Sequence, residues 1–161
     1  MSNPIIGKDC QLVYDEIADW AAPTWVPIPN AVDVSQPGIT KNMVDLPSRG
    51  TAGWNPKGAG LKSMDLTFGY LYHSGTDAIF AALRDAFLQD TVLAFAVLDG
   101  PGGGIVGRTV QGFKFPGIVS EFPISEELED GRRIEIKVDF ARHVLAGTLL
   151  LPTWVSIAAL T

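Results

Sequence analysis

One thiol and two imidazoles, at Cys10, His73 and His143, are all this sequence offers toward cysteine nucleophile or histidine base chemistry. A cysteine nucleophile needs a neighbouring base to take its proton and a further group to orient that base. None of the three lies in a recognisable nucleophile motif, and each histidine follows a strand-like run, where a solvent-tipped imidazole is commonplace. Cys10 adjoins the first such run and reads as a small buried hydrophobe that is chemically dispensable. Alone, it cannot form an intrachain disulfide. Metal ligation fares no better, because CxxC, HxxxH and HExxH spacings are absent. Glu126, Glu127, Glu129 and Asp130 lack the spaced Asp/Asn-Gly pattern of a calcium loop and read as a solvated hairpin tip. Gly100–Gly107 (GPGGGIVG) follows a strand, but no Gly-Lys-Ser/Thr closes it and no helix pattern opens after it. The expectation is no enzyme, no cofactor and no metal.

The stretch Leu46–Lys62, LPSRGTAGWNPKGAGLK, is of another kind. It holds four glycines, two prolines, one tryptophan and three cations, and no acid, in a chain of formal net charge −6. Connections between strands usually run about 2–6 residues. Ordering a longer one costs roughly 1–2 kcal/mol per residue in backbone entropy. Only Leu46, Trp54 and Leu61 are large and apolar here, too few to offset that cost. The sequence therefore predicts a long loop held by something outside its own domain. Arg49, Trp54, Lys57 and Lys62 are the candidate interface residues, with Trp54 as the anchor because tryptophan is enriched at interface hot spots. The alternative is that Trp54 packs back on its own sheet.

At 161 residues, with 47% apolar and 19% charged residues, the chain fits one domain, 1–161, with a real core. A sequence pI near 4.7 argues against a broad basic face for nucleic acid. No start resembling a secretory signal is read, and no apolar run approaches the roughly 18 residues of a spanning helix. A soluble protein made in a reducing cytoplasm, with no membrane insertion, is expected.

Period-two alternation dominates. Ser63–Tyr72 sets Met64, Leu66, Phe68, Tyr70 and Tyr72 on one face. Arg132–Arg142 sets Ile134, Ile136, Val138 and Phe140 against Arg133, Glu135, Lys137 and Asp139, a polar face of alternating sign. That face would be solvated, with cross-strand pairs. Gln11–Tyr14, Trp25–Ile28, Ala31–Val34 and Lys41–Asp45 are shorter strand candidates, and Val92–Leu98 reads as a strand covered on both sides. Thr109–Phe122 is strand-like but interrupted by Gly112, Pro116 and Gly117. Asp130-Gly131 carries a tight-hairpin signal. One helix is predicted over Thr76–Gln89, capped by Ser74 or Thr76 with Asp77 in its first turn. Its stripe is Ile79, Ala82, Leu83, Ala86 and Phe87. Many strands around one helix predict a mainly β fold, an antiparallel two-sheet β-sandwich or barrel with one flanking α-helix.

Taken in order, several segments resemble the major tail tube proteins of long-tailed, siphovirus-type bacteriophages. They are GKDCQLVYD, then WVPIPNAVDV, then Arg49-Gly50-Thr51-Ala52-Gly53-Trp54, then Gly60-Leu61-Lys62 leading into Ser63–Phe68. Asp85-Ala86-Phe87, Asp99-Gly100 and Pro152-Thr153-Trp154 follow. The resemblance spans roughly residues 7–157, while Gly100–Gly107 and Val144–Leu151 depart from the family pattern. It implies hexameric rings stacked into a tail tube, the conduit for DNA during genome ejection, in a virion tail protein synthesised in the host cytoplasm. Extended N- and C-terminal arms are part of that expectation. Implied partners are further copies of the chain, tape measure, terminator and baseplate or tip proteins, and DNA passing non-specifically through the lumen. Arg133, Glu135, Lys137 and Asp139 would then face the lumen or pair with an adjoining strand. An acidic lumen would not trap a sliding duplex through counterion release. The competing readings are a ring protein of a contractile secretion apparatus, a small-ligand-binding β-barrel and a hydrolase with a cryptic triad.

Overall fold

In the computed structural model the described residues are 10–35, 38–46, 56–73, 77–125 and 132–159. The chain order begins β1 (Gln11–Asp15), β2 (Val26–Pro27), β3 (Ala31–Val32), β4 (Thr40–Asp45), β5 (Lys57–Ser63) and β6 (Asp65–Leu71). Helix α1 (Ala78–Leu88) follows, then β7 (Leu93–Leu98), β8 (Val110–Glu121), β9 (Ile124–Ser125) and β10 (Arg133–Phe140). The last strands are β11 (His143–Leu145), β12 (Thr148–Leu150) and β13 (Thr153–Ile157).

Nine strands make one antiparallel sheet in the order β2-β1-β7-β8-β10-β6-β3, with β13 also on β8 and β9 also on β10. Strand β8 is the pivot. One edge bonds β7, while the other bonds first β13, from Val110 to Lys114, and then β10, from Gly117 to Glu121. Residues from both wings share one core: Leu12, Phe95 and Phe115 from one, Leu66, Phe68, Tyr70, Ile134, Ile136 and Val138 from the other. A flat sheet could not bring these together, so the two layers expected of a sandwich arise from a single sheet curling over itself.

The helix closes this core. Leu83 and Ala86 are buried in it, with Ile79, Phe80, Ala82 and Phe87 packed alongside. The cap differs from expectation: Asp77, placed by the sequence in the first turn, is itself the N-cap and accepts the Phe80 N–H at 3.0 Å. Ser74 and Thr76 lie outside the described residues, as do Glu126–Asp130 and the Asp130-Gly131 turn.

As predicted, β7 is covered on both faces. Leu93, Phe95 and Val97 point into the main core. Ala94, Ala96 and Leu98 point outward beneath Trp20, Trp25, Leu145 and Leu150. Lys114, a residue the sequence did not single out, is buried on this outer side. Its ammonium donates to the Trp20 carbonyl and sits 4.6 Å from the Trp20 ring. Burial pulls its pKa down, and the charge of Asp19 partly opposes that.

One sequence expectation is corrected. Leu46–Lys62 is not a loop throughout, because Lys57–Ser63 is strand β5, paired antiparallel with β4 as a separate two-stranded sheet. The Leu46 N–H bonds the Pro56 carbonyl at 2.9 Å, extending the pairing by one residue on each strand. The glycines that read as loop signals instead give side chains room. A Cβ on Gly58 would come within 2.7 Å of Leu46 Cδ1, so the bare backbone lets Leu46 lie across its partner strand.

Candidate assembly surfaces

The β4–β5 hairpin is the first candidate surface. All six residues of β4 are exposed, and β5 is exposed or half-buried throughout. It presents Met43, Val44 and Leu46 about half exposed, and Leu61 at 86% exposure. An isolated two-stranded hairpin is marginal in water, and this one leaves large apolar groups unsupported by its own body. Register pairs Asp45 with Lys57 at the far end and sets Lys41 opposite Lys62 near the root. Two lysines opposite one another repel, so the root favours a carboxylate beside it. Between them the register shifts, leaving Gly60 and Leu61 opposite Asn42 alone. Of the predicted interface residues, Lys57 and Lys62 therefore share this hairpin. Arg49 and Trp54 lie outside the described residues. The sequence missed Met43 and Val44, since a short apolar pair in a strand looks the same whether buried or bare.

At the hairpin root a cleft of about 570 Å³ separates it from the body, lined by Ile39, Lys62, Met64, Phe113, Phe140 and Leu151 among others. Beside it Trp154 packs edge-on against Phe113 at 4.9 Å and remains 54% exposed.

The second candidate surface is the polar face of β10. Ile134, Ile136 and Val138 are fully buried, so alternation turns Arg133, Glu135, Lys137 and Asp139 together onto the opposite side. There they meet side chains from adjoining strands. Arg133 Nη1 lies 3.0 Å from Asp33 Oδ2, Arg133 Nη2 3.6 Å from Glu135 Oε1, and Lys137 Nζ 3.7 Å from Glu121 Oε1. Asp65 stands opposite Asp139 in register. Carboxylates thus outnumber the two cations across this face.

Helix and sheet are joined by a part-buried hydrogen bond that the sequence did not reveal. The Tyr70 hydroxyl donates to Asp77 Oδ2 at 2.6 Å. Burial, then the Asp77 bond, push the Tyr70 hydroxyl up to about 12. Burial also pushes the Asp77 carboxyl up, but bonds from Tyr70 and the Phe80 and Ile79 N–H groups outweigh it and hold it below the usual aspartate value.

Cys10 is partly buried, His73 exposed and His143 half-buried. Among the described residues no group of three His, Cys, Asp or Glu side chains could hold a metal ion. No helix among them is long and apolar enough to cross a membrane.

No family model and no curated protein matches the chain. Solved structures do. The tail of an empty gene transfer agent particle, refined with C6 symmetry, superposes with a TM-score of 0.63 at 16% identity, covering 84% of this chain and 93% of that one. The SPP1 tail tube gives 0.64 at 18% identity, covering 94% and 78%. A chain in the baseplate of the anti-feeding prophage gives 0.58 at 8% identity, covering 96% and 97%. At such identities the likeness is one of backbone architecture, and the chain has the fold found in phage-type tail tubes.

Proposed function

We propose that this chain is a structural, non-catalytic subunit that assembles into stacked six-membered rings forming a tail tube. The observation that carries this reading is the β4–β5 hairpin, an arm of two exposed strands with bare apolar side chains and three lysines. Rings need heterologous contacts, in which one surface meets a different surface of the next copy. An arm of this kind supplies one half of such a contact. The C6 symmetry of the gene transfer agent tail supports six copies. Lys57 and Lys62, with Arg49 and Trp54 from the sequence reading, contribute the interface. The tube is a virion component that meets tape measure, terminator and baseplate or tip proteins at its ends and lets DNA pass non-specifically. Its acidic β10 face, with Arg133, Glu135, Lys137 and Asp139, lines the lumen.

Size-exclusion chromatography with light scattering, followed by electron microscopy, tests this. Rings or tubes are expected, and a monomer near 17 kDa under all conditions overturns it. A second reading, a ring protein of a contractile apparatus, is favoured by the likeness to the anti-feeding prophage baseplate. A sheath around the tube in the native particle would select it. The small-ligand-barrel reading loses support because Phe68, Tyr70, Phe95 and Phe115 fill the space between the layers.

A further inference from the structure

The Arg133 side chain crosses a neighbouring strand to reach its partner. Gly69 of β6 stands opposite Glu135, and a Cβ there would come within 2.7 Å of Arg133 Nε. The guanidinium therefore lies over bare glycine backbone and reaches Asp33, just beyond β3 on the far side of β6. Asp33 holds a φ of +49, a left-handed conformation that aspartate tolerates better than most residues. A glycine in a strand interior weakens the strand, and an exposed ion pair offsets little of that. Stability alone does not account for the arrangement. Its other effect is on charge: carboxylates stand beside both cations of the face, Asp33 and Glu135 at Arg133, and Glu121 at Lys137.

We infer that these carboxylates cage Arg133 and Lys137, so that a phosphate polyanion moving over the face binds neither. This rests on the reading of the β10 face as the lumen wall. Removing the carboxylates beside one cation then does more than shift net charge, because it releases that cation to bind phosphate.

The test assembles tubes with short duplex DNA present and measures nuclease-protected DNA that sediments with them, across a salt series. Glu121→Gln, and Asp33→Asn combined with Glu135→Gln because Arg133 pairs with both, should each retain several-fold more DNA than the native protein at low salt. The salt dependence should steepen by about 0.9 for each additional phosphate that a released cation neutralises. Asp65→Asn makes the same charge change as Glu121→Gln on the same face, but Asp65 forms no ion pair among the described residues, so it should retain no more than the native protein. Equal retention by Asp65→Asn would reduce the effect to net charge and overturn the cage. A doubly substituted Glu135→Lys, Asp139→Lys tube separates the two ideas. Retention there without retention by Glu121→Gln and by the combined Asp33→Asn, Glu135→Gln variant overturns the cage and leaves the lumen standing; no retention in any variant overturns both. Should the combined variant disturb β3 and prevent assembly, Glu121→Gln decides alone, since Glu121 lies at the end of β8.

Discussion

Strands β7 and β4 have the same length and opposite fates. Every residue of β7 is buried, and every residue of β4 is exposed. The first is bonded on both edges, by β1 and β8, and capped on both faces by aromatic and aliphatic side chains. The second has one partner strand and no layer above or below it among the described residues. One is buried within a single chain, whereas the other leaves its apolar side chains bare on the subunit. On the proposed reading, apolar groups serve two separable purposes, holding the subunit together and holding subunits to one another.

Substitution at the centre of the buried region should have the largest effect on the subunit. Phe95 is fully buried against Phe115, ring centroids 6.2 Å apart. Phe95→Ala should cost about 3–5 kcal/mol, read by urea unfolding of the monomeric subunit. A loss below 1 kcal/mol would mean that β7 is not the centre its burial indicates.

A smaller effect belongs to the join between helix and sheet. Asp77→Ala removes both the cap and the Tyr70 bond and should cost roughly 1–2 kcal/mol. Its pH dependence has a definite sign. The Asp77 carboxyl sits below its ordinary value when folded, so its contribution is present above pH 3.8 and lost as pH falls further. Tyr70, raised from 10.0 to about 12, contributes below pH 10 and loses that contribution as pH climbs toward 12. Tyr70→Phe should flatten the alkaline limb of a melting-temperature profile. An unchanged limb would show that the phenol does not titrate with unfolding.

The smallest effect on the subunit and the most complete effect on assembly should coincide at Leu61. Leu61→Asp places a charge where the side chain is 86% exposed, so monomer stability should move by less than about 0.5 kcal/mol. Tubes should nevertheless be absent by electron microscopy. Normal tubes from this variant, or a destabilised monomer, would erase the distinction between the two strands.

The sequence conveyed the buried half of this contrast better than the exposed half. Alternation in Arg132–Arg142 and the apolar run at Val92–Leu98 follow from pleat geometry, so both strands and their burial could be read directly. The helix was legible from its stripe, though Asp77 was misplaced by one position because cap and first-turn residues favour the same acidic types. The hairpin was half legible. Its composition pointed to an external contact, but Gly58 and Gly60 disguised β5, because glycine marks both a free chain and a close approach. Nothing local joins Asp33, Gly69 and Arg133, whose meeting depends on three strands coming into register. Nothing in periodicity marks Lys114 or the Tyr70–Asp77 bond either, since each partner comes from a different element.

The pairing of β1 with β7 also bears on how quickly the subunit can form. Gln11 meets Leu98, and Trp154 meets Phe113, so the sheet is completed by contacts between residues distant along the chain. Proteins dominated by such non-local pairings fold in milliseconds to seconds, because loop-closure entropy is spent before the contacts reward it. The β4–β5 hairpin has only a short span to close, and hairpins form in roughly 1–10 microseconds. Because an isolated hairpin is marginal in water, the arm opens and closes many times while the slower body completes, and on the proposed reading it is held only once a neighbouring copy receives it. Subunit concentration during synthesis then sets whether arms meet finished bodies or one another.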